Sequence, residues 1–371
     1  MTTILLSGYY GFNNIGDEAV LGGLLAGLQA ELPNVEPVVL SADPAATQRL
    51  HGVRAIPRMH LAAIQKELAQ ASLLISGGGS LLQDVTSLRS PFYYLGILWL
   101  AQRAGVPTMA LAQGIGPLRH WLARRCANTL LNRTRAITVR DPVSAALLEE
   151  LEVTVPPIEV TADPSFLLEP EASERLDSWW SGYIPVNRPL IGIALRQWGG
   201  NKSIERYHAI SDALVALAQQ TGALLLFLPM QYDRDLSVAE EMAGWTPAES
   251  RVLDLPLTPR EMLEAVGRCD VMLAMRLHAL IFAVQRGTPA FGFAYDPKVL
   301  DFSLEAGLPT PPAWSDLSAE SLIPTLQSFW NTRDAVRLHI QAGSSRLIAL
   351  AHRNITRVRE VLEDTGSLSS K

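Results

Sequence analysis

An arginine and a histidine stand two residues apart in the segment DVMLAMRLHALIFAVQRGTPAFGFAYDPK, which covers residues 270–298. The apolar run from Val271 to Met275 has the length of a buried strand, and the residues from Ala279 to Gln285 predict a helix. Arg276 and His278 therefore lie where the strand ends and the helix begins. Free N–H groups and the helix dipole favour an anion at such a point. The segment predicts that a guanidinium and an imidazole bind a small phosphate or carboxylate there.

A purely structural role competes with this interpretation of His278, because a single histidine at a helix start is often only hydrogen-bonded within the fold. Its position beside Arg276 favours function. Two further cations belong to the same half of the chain: Arg196 ends the predicted strand at residues 190–196, and Lys298 follows a later strand. If these strands are parallel, both side chains face the same edge as Arg276, and they are further candidate anion ligands.

The segment GYYGFNNIGDEAVL at residues 8–21 joins the first predicted strand to the first predicted helix. In a structural interpretation, Asp17 caps a helix that starts near it, and the glycines allow tight turns before it. In a functional interpretation, this is a substrate loop in which Asn14 contacts a sugar and Asp17 acts as the base for a sugar hydroxyl. The segment has neither the G-x-G-x-x-G spacing of a Rossmann fingerprint nor the Gly-Lys-Ser/Thr of a Walker loop.

Three consecutive glycines follow another predicted strand in SGGGSLLQDVTSLRS, residues 76–90. A sharp strand-to-helix turn would explain them, but three in a row between two serines favour close approach of backbone N–H groups to a ligand. A polar cluster suited to sugar hydroxyls follows, made of Gln83, Asp84, Thr86, Ser87 and Arg89. The candidate acceptor-binding residues here and in the strand-end loop QGIGP are Gly77, Gly78, Gly79, Ser80, Gln83, Asp84, Arg89 and Gln113.

These segments belong to a regular alternation of short apolar runs and helical patterns, which predicts parallel sheets of the α/β class. In a doubly wound sheet the loops after the strands gather at the carboxyl edge, where ligands bind. The predicted strands lie at residues 4–7, 38–41, 73–76, 108–112 and 136–140 in the first half and at residues 190–196, 223–229, 252–255, 271–275 and 290–294 in the second.

The chain has 371 residues, which is too long for one typical core and predicts two domains. The alternation breaks at residues 169–189, a stretch with acidic residues, proline, glycine and tryptophan. We therefore expect an N-terminal Rossmann-like domain at residues 1–170 on the acceptor side and a linker at residues 171–188. A C-terminal Rossmann-like domain with C-terminal helices is expected at residues 189–371 on the donor side.

The composition argues against several other classes of protein. A net charge of -6 is unlike the basic stripe of a general nucleic-acid binder, so no nucleic-acid partner is expected. Cys126 and Cys269 lie far apart without neighbours at metal-ligand spacing, so we expect neither a metal site nor a disulfide framework. No apolar stretch approaches the roughly 18 residues of a membrane span. The N-terminus lacks the basic residues of a signal peptide, and a cytoplasmic location is expected.

Seven motifs in order resemble the polysaccharide pyruvyl transferase family, in particular its bacterial cell-wall-type members. They are GYYGFNNIGDEA, SGGGSLLQDVTSLRS, AQGIGPL, ITVRD, VTADPSFLL, MRLHALIFA and YDPKV. The resemblance implies two Rossmann-like doubly wound domains, glycosyltransferase-B-like, with a cleft between them. It implies phosphoenolpyruvate as donor substrate without a cofactor, and a sugar of a cell-wall or exopolysaccharide glycan, or of its lipid-linked precursor, as acceptor. The implied product is a cyclic pyruvate ketal, typically bridging O4 and O6, with release of phosphate.

The resemblance also implies residue roles: Arg276 and His278 match the donor site, and Arg196 matches a second arginine. Phosphoenolpyruvate carries a carboxylate and a phosphate, so several cations suit it, Lys298 among them. Ketal formation needs an acid that protonates the enol carbon and a base for each hydroxyl. We assign His278 as proton donor or phosphate partner, and Asp17 as the group that orients or deprotonates the acceptor. Charge stabilisation by the arginines should contribute the larger share of catalysis.

Two alternative functions remain open from the sequence. One is a glycosyltransferase that uses a nucleotide sugar on the same architecture, because fold alone does not fix function. The other is a non-catalytic, two-lobed binder of small anions. If the acceptor is lipid-linked, it would bring the enzyme into peripheral contact with the inner membrane face. Residues 95–101 and Trp121 are the candidates for lipid contact, although core packing also explains them.

Overall fold

The computed structural model describes residues 2–85, 87–246 and 250–368, without the side chains of residues 201 and 202. Thr86, in the predicted polar cluster, lies outside these residues. The chain forms two compact units, the first made of Met1–Leu168 with Leu347–Lys371 and the second of Glu169–Arg346. Each unit has a parallel sheet with helices, which confirms the predicted α/β class.

The first unit is built on a seven-stranded sheet. Its strands are β1 (Thr2–Ser7), β2 (Val35–Ser41), β3 (Arg54–Pro57), β4 (Ala71–Gly77), β5 (Thr108–Gln113), β6 (Ala136–Val139) and β7 (Ile158–Val160). Its helices are α1 (Ile15–Glu31), α2 (Pro44–His51), α3 (Leu61–Leu68), α4 (Arg89–Arg103), α5 (Trp121–Leu131) and α6 (Pro142–Glu150). The strand order is β3-β2-β1-β4-β5-β6-β7. The short strands β3 and β7, at the two edges, carry too few apolar residues to be recognised in the sequence.

Alternation along the central strands explains why helices cover both faces of this sheet. Ile4 and Leu6 of β1 belong to one hydrophobic cluster, together with Leu24 of α1. Leu5, between them, belongs to a second cluster with Leu98 of α4. All of these side chains are fully or almost fully buried. Successive strand residues point to opposite faces, so an all-apolar strand needs a helical layer on each side.

The second unit has a five-stranded sheet. Its strands are β8 (Leu190–Ala194), β9 (Leu224–Phe227), β10 (Ser250–Val252), β11 (Val271–Ala274) and β12 (Ala290–Gly292). Its helices are α7 (Glu174–Tyr183), α8 (Ile204–Thr221), α9 (Tyr232–Trp245), α10 (Pro259–Gly267), α11 (Leu277–Arg286) and α12 (Pro297–Ala306), followed by α13 (Ala319–Asp364). The strand order is β10-β9-β8-β11-β12. No helix in the described ranges combines the length and apolarity that a bilayer crossing requires.

Residues 171–188, predicted to be a linker, are part of the second unit and contain α7. The backbone N–H of Glu171 donates to the carbonyl of Arg260 at 3.2 Å. Ser173 caps α7 and also donates to Glu261 at 2.6 Å. The prediction failed because acidic residues, proline and tryptophan also occur in a short amphipathic helix that is fixed by hydrogen bonds.

The C-terminal end also differs from the prediction, because Leu347–Lys371 belongs to the first unit although α13 begins in the second. Asn354 is fully buried and accepts hydrogen bonds from Thr138 at 2.6 Å and Thr161 at 2.8 Å. Its amide nitrogen donates to the Ala162 carbonyl at 2.9 Å. These partners lie in or next to β6 and β7. Because the buried Asn354 amide needs hydrogen-bond partners, its contacts fix the end of α13 against the N-terminal sheet.

Candidate functional site

Both sheets reverse their strand order at one point, between β1 and β4 in the first unit and between β8 and β11 in the second. The loops that leave the two strands beside such a point diverge, and ligands bind in the crevice at the carboxyl ends. The segment with Asn14 and Asp17 follows β1, and the three glycines complete or follow β4. Arg196 follows β8, and Arg276 follows β11. Each unit therefore brings its own candidates to its point of reversal.

The second unit places Arg196 and Arg276 at equivalent positions of neighbouring strands. Ala194 of β8 pairs with Ala274 of β11, and each arginine stands two residues after its alanine. The backbone N–H groups of Met275 and Arg276 both donate to the Ala194 carbonyl, at 2.9 and 3.3 Å. The two arginines therefore leave adjacent points of the same carboxyl edge.

Arg276 is held by a two-pronged ion pair with Asp235 of α9. Its Nε donates to Oδ2 at 2.9 Å, and its Nη2 donates to Oδ1. The Asp235 side chain is 1% exposed, that of Arg276 is 12% exposed, and the carboxylate also accepts the backbone N–H of Gln231 at 2.8 Å. The pair fixes the plane of the guanidinium and leaves its Nη1 edge unused by Asp235. Asp235 was not predicted from the sequence, where the only signal for it is its place shortly after the predicted strand that became β9.

Arg196 is held by aromatic rings and a phenol. Its Nη1 donates to the Tyr295 hydroxyl at 3.2 Å, and its guanidinium lies 5.6 Å from the Trp198 ring centroid and 5.3 Å from that of Tyr295. The Tyr207 hydroxyl donates to the Arg196 carbonyl at 2.6 Å and accepts the Trp198 N–H at 2.9 Å. Burial raises the pKa of Tyr207 to about 12, so this hydroxyl keeps its proton. Within the described residues, the buried Nε of Arg196 has no hydrogen-bond partner.

His278 and Lys298 have different surroundings. Arg276 is the N-cap of α11, so His278 lies in the first turn of that helix, half-buried and with a buried Nε2. Lys298 lies in the first turn of α12, where its Nζ is 3.4 Å from Oδ2 of Asp296, the residue that caps this helix. Lys298 is therefore tied to its own helix cap. Helix α11 begins two residues earlier than expected and ends before Gly287.

In the first unit, Asn14 rather than Asp17 caps α1. The Asn14 side chain accepts the backbone N–H of Gly16 at 3.2 Å, and its amide nitrogen donates to Asp17 Oδ2. Asp17 lies inside the first turn, because the helix begins at Ile15. The structural interpretation of Asp17 as the cap was wrong: the asparagine three residues earlier already supplies the capping oxygen. The Asp17 carboxylate is held by Asn14 and stabilised by the positive end of the helix dipole.

The glycine segment lies against this carboxylate. Gly78 and Gly79 have positive φ angles of 70° and 71°. A Cβ on Gly79 would lie 2.7 Å from Asp17 Oδ1, and a Cβ on Gly78 would lie 2.0 Å from a methyl carbon of Val20. Glycine is thus required at both positions by conformation and by close approach. The turn after β4 and the close contact with Asp17 both require glycine here.

Several predicted acceptor-binding residues have structural partners. Gln113 is fully buried and donates to the carbonyl and hydroxyl of Ser76 at 2.9 and 2.8 Å, so its side chain is closed to a ligand; this prediction is corrected. Asp84 accepts the backbone N–H groups of Arg119 at 2.7 Å and His120 at 2.6 Å, and thereby fixes the loop before α5. Gln83 accepts the N–H of Val85 at 2.9 Å, and Arg89 is exposed at the first position of α4.

Arg140 was missed as a partner of the predicted Ser80. Its Nη2 donates to the Ser80 hydroxyl at 2.9 Å, and its Nη1 donates to Asp163 at 3.3 Å. The side chain is 8% exposed, so it reaches Ser80 from inside the unit. Asp141, the next residue, caps α6 by accepting the Ser144 N–H at 2.7 Å. The charges of Arg140 and Asp141 are evident in the motif VRD, but the hydrogen bond from Arg140 to Ser80 depends on the tertiary fold.

A second missed cation, Arg58, directly follows β3 at the same sheet edge. Its guanidinium lies 4.1 Å from the ring centroid of Tyr93, 5.0 Å from that of Phe12 and 5.4 Å from that of Tyr94. Burial raises the pKa of Tyr94 to about 12. Aromatic faces hold the arginine at this edge without neutralising its charge. Nothing in the local sequence around Arg58 indicated this, since its rings come from two other segments.

The two units offer different chemistry at their points of strand reversal. In the second, two oriented guanidinium groups and an imidazole at a helix start can bind an oxyanion. In the first, a carboxylate in a helix turn beside glycines can accept a hydrogen bond from a hydroxyl or take its proton.

The chain is similar to known proteins in sequence and in fold. The polysaccharide pyruvyl transferase family model matches residues 14–297. The amylovoran biosynthesis protein AmsJ of Erwinia amylovora is 22% identical over 374 residues, covering 82% of this chain and 86% of that protein.

Among solved structures, S. aureus MnaA with UDP has a TM-score of 0.67 at 11% identity and covers 100% of this chain and 99% of its own. Anabaena HepE with UDP and glucose has a TM-score of 0.61 at 14% identity, covering 97% and 100%. These likenesses confirm a glycosyltransferase-B-like pair of Rossmann-like domains. The family match includes Asn14, Asp17, the glycine segment, both arginines of the second unit and His278, and on this evidence the chain belongs to the polysaccharide pyruvyl transferase family.

Proposed function

We propose that this enzyme transfers a pyruvyl group from phosphoenolpyruvate to a sugar of a cell-wall or exopolysaccharide glycan or its lipid-linked precursor. The observation that carries the proposal is the pair of arginines on adjacent strand ends, Arg196 and Arg276, with His278 in the helix turn that Arg276 begins. The product is a cyclic ketal, 4,6-O-linked on the sugar, and the second product is phosphate.

The donor fits the arginine pair through its two anionic groups. Phosphoenolpyruvate carries a carboxylate and a phosphate close together, and planar guanidinium groups match the oxygens of both. Arg276 offers the Nη1 edge that Asp235 does not use, and Arg196 offers the Nε that lacks a partner among the described residues. Lys298 is a further candidate for the phosphate, although its ammonium group is already paired with Asp296.

The reaction needs one proton at the donor and the removal of two from the acceptor. His278 donates a proton to the methylene carbon C3, which becomes a methyl group, and positive charge develops at C2. A sugar hydroxyl attacks C2 and loses its proton to a base. The C2–O bond to phosphate then breaks, and the second hydroxyl closes the ring and loses its proton. The arginines stabilise the departing phosphate, which is where preorganised charge contributes most.

On the acceptor side, Asp17 is the proposed base or orienting group. Asn14 holds one of its oxygens, and Gly79, which has no side chain, lies against the other. Ser80, held by Arg140, is a further hydroxyl for the sugar at the same edge. The relative AmsJ is named for the biosynthesis of amylovoran, which supports a polysaccharide-related acceptor.

The test is an assay of phosphate release with phosphoenolpyruvate and a panel of acceptor glycosides, with mass spectrometry of the product. We expect phosphate release only when donor and acceptor are both present. The glycoside should gain the mass of a pyruvate ketal, which is phosphoenolpyruvate minus the released phosphoric acid. Binding of phosphoenolpyruvate without turnover on any glycan or lipid-linked acceptor would instead favour the non-catalytic anion binder.

A second candidate is transfer of a sugar from a nucleotide sugar, which the UDP in the MnaA and HepE structures favours. A thermal-shift measurement with phosphoenolpyruvate and UDP at equal concentrations distinguishes the two candidate functions. A ligand that binds only the native state raises the melting temperature by mass action. We expect stabilisation by phosphoenolpyruvate; stabilisation by UDP alone would reverse the assignment.

A further inference from the structure

The surface formed by α4 and α5 is both apolar and basic. A groove of about 390 Å³ runs between these helices, lined by Phe92, Leu95, Trp99, Leu122, Arg125 and Leu130 among others. Trp99 is 47% exposed and Leu122 is 38% exposed at this groove, and Trp121 at the start of α5 is 66% exposed. Large apolar side chains grouped on a surface mark a binding surface rather than a random exposure.

The chain segment that builds this groove is rich in arginine. Residues 85–140 contain eight arginines and no aspartate or glutamate, in a chain with 37 acidic and 31 basic residues. Arg140 is buried and Arg124 pairs with Glu150 at 2.7 Å, so neither adds a free charge at the surface. The arginines of this stretch that are exposed, with no ion pair to any described residue, are Arg89, Arg103, Arg119, Arg125, Arg133 and Arg135.

Ring contacts make the apolar and basic groups continuous. The Trp121 ring stacks on His120 with centroids 6.2 Å apart, and His120 meets Phe92 of the groove edge-on at 6.1 Å. The Arg103 guanidinium lies 5.4 Å from the ring centroid of Trp99, which lines the groove. We call the surface of Phe92, Trp99, Arg103, Trp121, Leu122 and Arg125 the α4–α5 face.

We propose that the α4–α5 face docks on an anionic lipid bilayer. Tryptophan side chains occupy the headgroup level of a membrane, because one part of the ring is apolar and the indole N–H is polar. Exposed arginines that make no ion pair with a described residue are attracted to the negative surface of anionic lipids. Two copies of this face packed against each other would bring arginines of like charge together, whereas anionic headgroups neutralise them, so the face favours a bilayer over a symmetric dimer.

Docking through the α4–α5 face would bring the candidate acceptor site close to a lipid-linked acceptor, an inference that rests on the proposed function. Helix α4 follows the glycine segment and α5 follows the loop after β5, so both begin at the carboxyl edge that carries Asp17. A lipid-linked acceptor in the bilayer would present its sugar toward that edge. Residues 95–101 and Trp121, the candidates for lipid contact from the sequence, lie on the two helices that form the α4–α5 face.

The experiment is co-sedimentation of the full-length chain with vesicles of phosphatidylcholine and phosphatidylglycerol, compared with phosphatidylcholine alone, without phosphoenolpyruvate or acceptor. We expect binding to the anionic vesicles that weakens as salt is added. The double variants Trp99→Ser/Trp121→Ser and Arg103→Glu/Arg125→Glu should each lower the partition coefficient by roughly tenfold or more.

Matched controls change the same kinds of exposed residue elsewhere. Tyr183→Ser/Leu338→Ser removes apolar side chains that are 52% and 71% exposed, and Arg49→Glu/Arg251→Glu makes the same change in net charge. Both controls should bind vesicles like the original chain, and circular dichroism should show that all four variants fold.

Three results would overturn the proposal: no binding of the original chain to anionic vesicles, equal loss in controls and face variants, or a dimer in sedimentation velocity that the tryptophan variant dissociates. Because the vesicle assay uses neither substrate, its failure is distinguishable from failure of the pyruvyl-transfer proposal, which would appear as absence of phosphate release with soluble glycosides.

Discussion

Asp235 accepts hydrogen bonds from Nε and Nη2 of Arg276, so the proposed donor would bind this arginine at its Nη1 edge. The ion pair lies in a nearly closed environment, with 1% and 12% of the two side chains exposed. Removing one member of such a pair leaves the other charge buried without compensation. An alanine at position 276 would therefore change stability as well as activity, and a more conservative change is needed to test its role.

Arg276→Lys retains a cation beside Asp235 but loses the planar fork. We expect kcat/KM for phosphoenolpyruvate to fall about 100-fold, equivalent to about 2.7 kcal/mol of transition-state stabilisation. The free energy of unfolding in urea should change by less than about 1 kcal/mol, whereas Arg276→Ala should cost about 3 kcal/mol through the stranded Asp235. A lysine variant with nearly original kinetics would contradict the role of the fork.

His278 and Asp17 are predicted to act on protons rather than on donor binding. His278→Gln and Asp17→Asn keep the approximate shape of each side chain and should each lower kcat about 100-fold, the usual contribution of a positioned acid or base. The thermal shift produced by phosphoenolpyruvate should persist in Asp17→Asn. Near-normal phosphate release by a folded His278→Gln enzyme would exclude His278 as the proton donor.

At the scale of elements, Glu261 explains why residues 171–188 form structure instead of a linker. It completes a capping box with Thr258 at the start of α10 and accepts hydrogen bonds from Ser173 and Arg175 next to and within α7. Burial of Glu261 raises its pKa, but the hydrogen bonds from these three residues outweigh burial and lower the pKa to about 2. The ionised carboxylate thus ties α7 to α10.

The sign of the pH dependence follows from this lowered pKa. The stabilisation from Glu261 is present above its ordinary pKa of 4.5 and is lost as the pH falls from there toward 2. Glu261→Gln should cost about 1 kcal/mol at pH 7, the usual value of a helix cap with charge-assisted partners, and little at pH 2. Urea unfolding of both proteins at several pH values measures this, and a constant difference across the range would contradict the assignment.

At the scale of the whole molecule, α13 starts in the unit that carries the arginine pair and ends in the unit that carries Asp17. Its last part is fixed by Asn354, and by Arg353 and Arg357, which both pair with Glu159 of β7 at 2.8 and 2.9 Å. The C-terminal residues therefore contribute to the core of the N-terminal unit.

Asn354→Ala should destabilise the first unit by about 2–3 kcal/mol, because Thr138, Thr161 and the Ala162 carbonyl lose a buried partner together. Ser345→Ala, at an exposed position of the same helix, is the control and should change little. Limited proteolysis followed by mass spectrometry reports which unit opens first. Preferential cleavage in residues 169–346 of the Asn354 variant would show that this contact does not belong to the first unit's core.

Much of the fold could be predicted from the sequence, because short apolar runs alternating with helices have few packing solutions. Ten of the described strands were predicted from their runs of apolar residues, although the strand predicted at residues 252–255 shares only Val252 with β10. Arg196, Arg276 and His278 were chosen as candidates because each follows such a run closely. Local pattern failed at Asp17, because Asn14, three residues earlier, takes the capping role expected of it. It also did not show that Gln113 donates to Ser76, 37 residues away.

The sequence by itself determined the α/β class, the family motifs and the cationic residues at the strand ends, since these depend on local periodicity and on residue type. Only the tertiary structure decided that Asp235 orients Arg276, that Arg140 reaches Ser80, and that the chain's end completes the N-terminal core. These three facts depend on residues brought together from 41, 60 or about 190 positions away, as Asn354 is from Ala162. A buried charge or amide needs a hydrogen-bond partner, and the packed fold can supply that partner from any part of the chain. Local residue spacing therefore does not predict which residue the partner is.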